Sequence, residues 1–221
     1  MPNYRNNIEV LVGRAEAILQ GDCNGKDALL HIHVLLADMQ VAMAEATAAR
    51  KTLGPLIGKL RKAQQLDSAE SPIVWVPVLR GHMATGHRPK IKTIKNMRNL
   101  GATHVLTLLS ESEGAESIGK EVRRAGLDWI WLPLISAGPP PDERRDDMVR
   151  TFDDLRCALD NQARIYVHCS AGIHRTGMIT YAFLRYVKLP AQDARDTLSK
   201  MRRETAEGVG DERIQWGEQF S

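Results

Sequence analysis

The chain is poor in cysteine. Cys23, Cys157 and Cys169 lie far apart among 221 residues, which argues against a disulfide scaffold and fits a reducing compartment. No apolar run approaches the ~20 residues that a membrane-spanning helix needs. The first residues also lack the basic, apolar, small-residue order of a secretory signal. A cytoplasmic location without a membrane span is therefore the expectation. No His or Cys cluster has the spacing of a metal site. His31 and His33 stand two apart, on different faces of a helix, and are read as non-ligands. No metal or cofactor is expected. Asp and Glu are missing between residues 71 and 110, where Arg80, Arg88, Lys90, Lys92, Lys95 and Arg98 stand. That stretch is either the rim of an anion-binding mouth or a solvated helix face. Nothing resembles a nucleic-acid module, and a net charge of +3 is too small to argue for one.

What is present is the apolar and charged content of a globular protein, with a change of pattern near residue 70. Residues 1–66 read as helical. Ile8, Leu11, Val12, Ala15, Ile18 and Leu19 recur at helical spacing, and Gly21-Asp22 with Asn24-Gly25 break the run. A second helix is expected from Asp27 to Lys51, on Leu30, Val34, Met39, Met43 and Ala46. Gly54-Pro55 should punctuate before a short third helix through Leu56, Ile57 and Leu60. This part carries no chemical motif. It is expected either to pack as a helical hairpin or to serve self-association or partner binding. Asp67 to Pro72 is the boundary, giving a helical extension over 1–70 and a second domain over 71–221.

From Ile73 the chain alternates. Residues 73–79 predict a strand, 81–89 a loop, and 92–100 a helix ended by Gly101. A strand follows at 104–109, an acidic loop at 110–116 and a helix at 118–125. A strand at 129–134, a charged helix at 142–160 and a strand at 165–168 lead to final helices at 175–188 and 190–205. Such alternation predicts an α/β sandwich with a mainly parallel central sheet, whose ligands gather at the carboxyl ends of the strands.

The last strand runs into Arg164-Ile-Tyr-Val-His-Cys-Ser-Ala-Gly-Ile-His-Arg-Thr-Gly177. A thiol at a strand–loop–helix turn faces converging backbone N–H groups and a helix N-terminus, which favour an anion and a negative sulfur. Arg175 adds a planar fork suited to two phosphate oxygens. The run from His168 and Cys169 through Ser170, Ala171, Gly172, Ile173 and His174 to Arg175 and Thr176 resembles the His-Cys-x5-Arg-Thr/Ser signature of cysteine-dependent protein tyrosine and dual-specificity phosphatases. The resemblance covers roughly residues 72–215.

That resemblance implies a phosphomonoester hydrolase working through a phosphocysteine on Cys169, with a phosphorylated protein as substrate. Residues 170–174 and Arg175 would hold the phosphate, His168 would orient the cysteine, and Thr176 would bond the sulfur. A general-acid Asp is expected on the loop after the strand before the signature. The usual position holds Ser136, so Asp142 is the candidate, with Glu111 and Glu113 as fallbacks; Asp142 is otherwise a plain cap of the helix it precedes. His174 either adds a titrating charge or points to solvent. Cys157 is expected in the core, with trapping of an oxidised Cys169 as a second role. The short domain resembles the shallow-pocket group, some of which take phosphoinositides or RNA 5′-phosphates. A catalytically weak phosphoprotein-binding module is the alternative of another class; sulfurtransferase and arsenate reductase readings fit less well.

Overall fold

A computed structural model describes residues 4–20, 26–45, 49–67 and 73–221. The chain divides into two compact units, residues 1–72 and 73–221.

In the first unit, α1 (Tyr4–Gln20), α2 (Lys26–Glu45) and α3 (Ala49–Asp67) pack on one another. Their shared core is Leu11 and Ala15 of α1, Ile32, Leu35, Leu36 and Met39 of α2, and Leu53, Ile57 and Leu60 of α3. Full burial of each large side chain contributes roughly 1.5–3 kcal/mol. Two expectations are corrected here. The second helix ends at Glu45, and the third runs through Gly54-Pro55 instead of starting after it. Pro55 sits in that helix and removes one backbone donor. The stripe Ala49, Leu53, Ile57 and Leu60, at helical spacing and buried, outweighs that loss. The side chains of His31 and His33, and Cys23, lie outside the described residues.

The second unit is built on a five-stranded sheet. Its strands are β1 (Val76–Val78), β2 (Gly81–Gly86), β3 (His104–Thr107), β4 (Asp128–Trp131) and β5 (Arg164–His168). They stand in the order β1-β2-β5-β3-β4, parallel except for the edge strand β1. This is the expected α/β architecture. Between the strands lie α4 (Ile91–Met97), α5 (Ala115–Arg124) and α6 (Arg145–Asp160). After β5 come α7 (His174–Tyr186), α8 (Ala191–Met201), α9 (Arg203–Gly208) and α10 (Asp211–Gly217). Alternate strand residues feed two cores. Met83, Leu106, Leu108, Ile165 and Val167 join Met148, Phe152, Met178, Phe183 and Ile214 on one face. Ala84, Val105, Leu109 and Tyr166 join Ile94, Met97, Ile118 and Val122 on the other.

The stretch 81–89 is not all loop. Residues 81–86 are the buried strand β2, paired in register with β5 from His82–Arg164 to Gly86–His168. Its small residues hid it, yet they are what the position demands. A Cβ on Gly81 would stand 2.3 Å from the Ala163 carbonyl, and one on Gly86 would stand 2.1 Å from the Tyr166 hydroxyl. The helix expected to run to Leu100 and end at Gly101 instead ends at Met97; Gly101, at φ 91, closes the turn that follows, in which Ala102 N–H bonds Met97 and Gly101 N–H bonds Arg98. The segment after residue 201, expected to finish one helix, instead folds as α9, α10 and a short final turn.

Candidate active site

The carboxyl ends of β2, β3, β4 and β5 meet at the loop Cys169–Ile173, which joins β5 to α7. Cys169 is 3% exposed, and its sulfur accepts the Gly172 N–H at 3.2 Å. The loop's shape is set from outside. His168 Nδ1 lies 3.1 Å from the Cys169 carbonyl, and the Arg88 N–H donates to the Ser170 carbonyl at 3.0 Å. Arg202 donates to the Ala171 and Gly172 carbonyls at 3.1 and 3.0 Å, and the Thr205 hydroxyl donates to the Gly172 carbonyl at 2.6 Å. In a trans peptide the C=O and the following N–H point oppositely. Pinning four successive carbonyls outward therefore turns the N–H groups of Ser170, Ala171, Gly172 and Ile173 inward. The first turn of α7 adds N–H groups without intrahelical acceptors and the positive end of its dipole. The result is a cradle for an oxyanion with a sulfur at its base.

Gly172 is required by this packing. It holds φ +70, and a Cβ there would lie 2.2 Å from the Gly86 carbonyl carbon and oxygen. The end of β2 thus presses directly on the cysteine loop.

Arg175 is 9% exposed and lies on the first turn of α7. Glu113 grips it in a bidentate pair, NH1 to Oε2 at 2.6 Å and NH2 to Oε1 at 2.7 Å, while the Leu134 carbonyl accepts from NH1 at 3.0 Å. Burial alone would lower the Arg175 pKa; the Glu113 bond and the nearby Cys169 outweigh it and hold it raised. Burial would likewise raise Glu113, but Arg175 and then Ser110 hold its carboxyl below the usual range. Glu113 is thus an ionised counter-ion and has no proton to give. Glu111 is exposed in the same turn.

His168 is wholly buried, and that burial pushes its pKa down to about 4. The imidazole is accordingly neutral. Its Nε2 lies 3.0 Å from the Thr107 hydroxyl, which also accepts the Trp129 indole N–H at 2.8 Å. Thr176 is wholly buried, and its hydroxyl makes no hydrogen bond among the described residues. The expected bond to the sulfur is not formed in this state, where the Gly172 N–H takes the sulfur instead. His174 is 7% exposed, so it does not point to solvent. Cys157 is exposed on α6 and is not a core residue, because the helix turns Leu155 and Leu159 inward and leaves position 157 outside.

Asp142 opens a short turn before α6, is exposed, and makes no side-chain hydrogen bond or ion pair among the described residues. It is therefore no plain helix cap: α6 is preceded by Arg144 and has no side-chain cap bond. The loop that leads to it is tied down at Pro133 by Arg144 and at Ala137 by Arg213. Ser136 is exposed within it.

Of the basic stretch, Arg88 reaches the cradle, and its side chain donates to the Glu113 carbonyl at 2.8 Å. Lys92 and Lys95 lie exposed on α4. Three contributors escaped the sequence: Arg202, Thr205 and the Trp129–Thr107 pair. No motif marks them. Among the described residues no cluster could hold a metal ion, and no helix is long and apolar enough to cross a membrane.

Comparison with known proteins agrees with this geometry. Mouse laforin is 28% identical over 114 residues, covering 43% of this chain and 33% of laforin, so the chain spans about a third of that relative. The kinase-associated phosphatase KAP superposes with a TM-score of 0.56 at 15% identity, covering 68% of this chain and 95% of KAP. PTPMT1, solved in complex with PI(5)P, gives 0.52 at 19%, covering 66% and 94%. A putative protein tyrosine phosphatase from Leishmania major gives 0.52 at 16%, covering 67% and 98%. These structural likenesses show the fold. Residues 73–214 match the family model of the Swiss Army Knife DSP-PTPase phosphatase domain, so the chain belongs to the cysteine-dependent dual-specificity and tyrosine phosphatase family.

Proposed function

We propose that this phosphatase hydrolyses phosphotyrosine, or phosphotyrosine and phosphoserine or phosphothreonine, on a protein substrate through a phosphocysteine on Cys169. The observation that carries the proposal is the sulfur lying beneath inward N–H groups that four outside clamps hold in place. The Cys169 thiolate attacks phosphorus as the leaving oxygen departs. Inward N–H groups and the Arg175 guanidinium take up charge on the equatorial oxygens with no reorganisation at the moment of reaction. Glu113 keeps that guanidinium in place. Asp142, which has no other partner among the described residues, protonates the leaving oxygen when the loop 133–142 closes on substrate. It then accepts a proton from the water that hydrolyses the phosphocysteine. Thr176, whose buried hydroxyl has no partner among the described residues, donates to the sulfur as it is expelled.

The test is hydrolysis of p-nitrophenyl phosphate by the parent and by Cys169→Ser. The variant should lose all turnover while still binding inorganic phosphate. Turnover that survives in Cys169→Ser would sink the mechanism. A panel of phosphopeptides, inositol lipids and RNA 5′-ends then ranks the substrate classes.

A further inference from the structure

Two residues that no signature covers stand beside the cysteine loop on the neighbouring strands β3 and β4. Trp129 of β4 and Thr107 of β3 form with His168 a chain of hydrogen bonds that ends on the Cys169 carbonyl: 2.8 Å, 3.0 Å and 3.1 Å. Thr107 and His168 are wholly buried. The direction of every bond follows from its ends. The indole N–H can only donate, and the Cys169 carbonyl can only accept. His168 must then carry its proton on Nδ1, and the single hydroxyl proton of Thr107 must go to Nε2. An imidazolium would aim a second N–H at the Thr107 oxygen and leave the hydroxyl proton without an acceptor, since that oxygen has no third partner among the described residues.

We propose that Trp129 and Thr107 are positioning residues of the phosphate cradle. By feeding a proton into His168 Nε2 they hold it as the neutral Nδ1–H tautomer, so that it pins the Cys169 carbonyl outward and turns the Ser170 N–H onto the substrate phosphate. The tryptophan does more than pack. Its ring stacks on Trp131 at 5.4 Å and sits over Gly119, where a Cβ would stand 2.6 Å from the ring. The close fit fixes where the indole N–H points. This inference rests on the phosphatase reading for its kinetic arm, but its spectroscopic arm does not.

The experiment uses the full chain with ¹⁵N-labelled histidine. In the parent, His168 should show one neutral tautomer with the proton on Nδ1 from pH 5 to 8. Thr107→Val removes the hydroxyl at nearly constant shape, and the Nε2 resonance should move to that of a nitrogen without a donor. Its kcat should fall about tenfold, the fold-change expected for one buried hydrogen bond, with KM little altered. Thr107→Ser restores a hydroxyl and should recover both readouts. Trp129→Phe keeps a ring in the stack and removes only the N–H, so it should let a second tautomer appear. Because the three groups act in series, the double variant should fall no further than Thr107→Val. A Thr107→Val protein with the parental tautomer and kcat would overturn the proposal, as would a Thr107→Ser protein as damaged as the valine. Should the valine variant not fold, Trp129→Phe decides: an unchanged histidine spectrum refutes the relay. Loss of the tautomer signature with no phosphatase activity in the parent would refute the function and leave the relay standing.

Discussion

Acid should weaken the second unit through His168, and the size of the effect follows from its burial. An unfolded histidine titrates near 6.5, whereas the buried imidazole is held down to about 4. The cost of dehydrating its charge comes first among the causes, and Arg88, His87 and Arg175 add to it by repulsion. The Cys169 carbonyl opposes them in part. Between these limits the unfolded chain takes up a proton that the folded one refuses. The stability this group confers is therefore complete above pH 6.5 and falls as the pH drops, until about pH 4. At about 1.4 kcal/mol per pH unit the loss totals ~3 kcal/mol, a large share of a domain's margin. His104, also lowered by burial, adds loss of the same sign, and Glu113, whose carboxyl is held low, adds its own once the pH passes below the usual carboxylate range. A comparison separates them. His168→Asn keeps an amide N–H where the imidazole carries Nδ1–H but does not titrate. The assay is urea unfolding at a series of pH values, followed by tryptophan fluorescence. Trp75, Trp129, Trp131 and Trp216 all lie in the second unit, so the signal ignores the helical one. The parent should lose stability faster than His168→Asn between pH 6.5 and 4, by about 1 kcal/mol per pH unit. Parallel curves would refute the reasoning.

Other consequences are as direct. Asp142→Asn should slow the first release of an alkyl alcohol by ~100-fold or more and the burst release of p-nitrophenol, whose leaving group needs no proton, far less, while slowing the later breakdown of the phosphocysteine equally for both; equal effects on the two release steps would remove Asp142 as the acid. Arg202→Ala frees the Ala171 carbonyl and leaves the Gly172 carbonyl to the Thr205 hydroxyl alone, each lost bond being charge-assisted and worth about 1.5 kcal/mol. It should lower kcat/KM by ~100-fold and weaken inhibition by inorganic phosphate in parallel, with Arg202→Lys intermediate. Gly172→Ala must relieve the approach to Gly86 and a φ of +70 together, so it should destabilise the second unit by more than ~2 kcal/mol in the same urea assay.

Much of the chemistry was legible in the residues themselves because it is local. Cys169, its glycine-containing loop and Arg175 lie within one turn, and the strand before and helix after them follow from periodicity over a few positions. The alternation of strands and helices was enough for the architecture. What the chain order could not supply was anything decided by close approach between distant segments. β2 reads as loop because Gly81 and Gly86 lack side chains, and only the nearness of Ala163 and Tyr166 explains why they must. Pro55 reads as a break until the buried stripe around it is seen to hold the helix through it. Glu113 was a fallback acid until Arg175, far along the chain, was found to claim its proton-accepting oxygens. The clamps on the cradle come from residues as separate as Arg88, Thr107, Trp129, Arg202 and Thr205. The sequence alone determined which nucleophile and which cation are proposed to meet the phosphate, since both belong to one short strand–loop–helix connection. Only the tertiary structure decided where the N–H groups point, since a peptide plane is turned by whatever holds its carbonyl from outside.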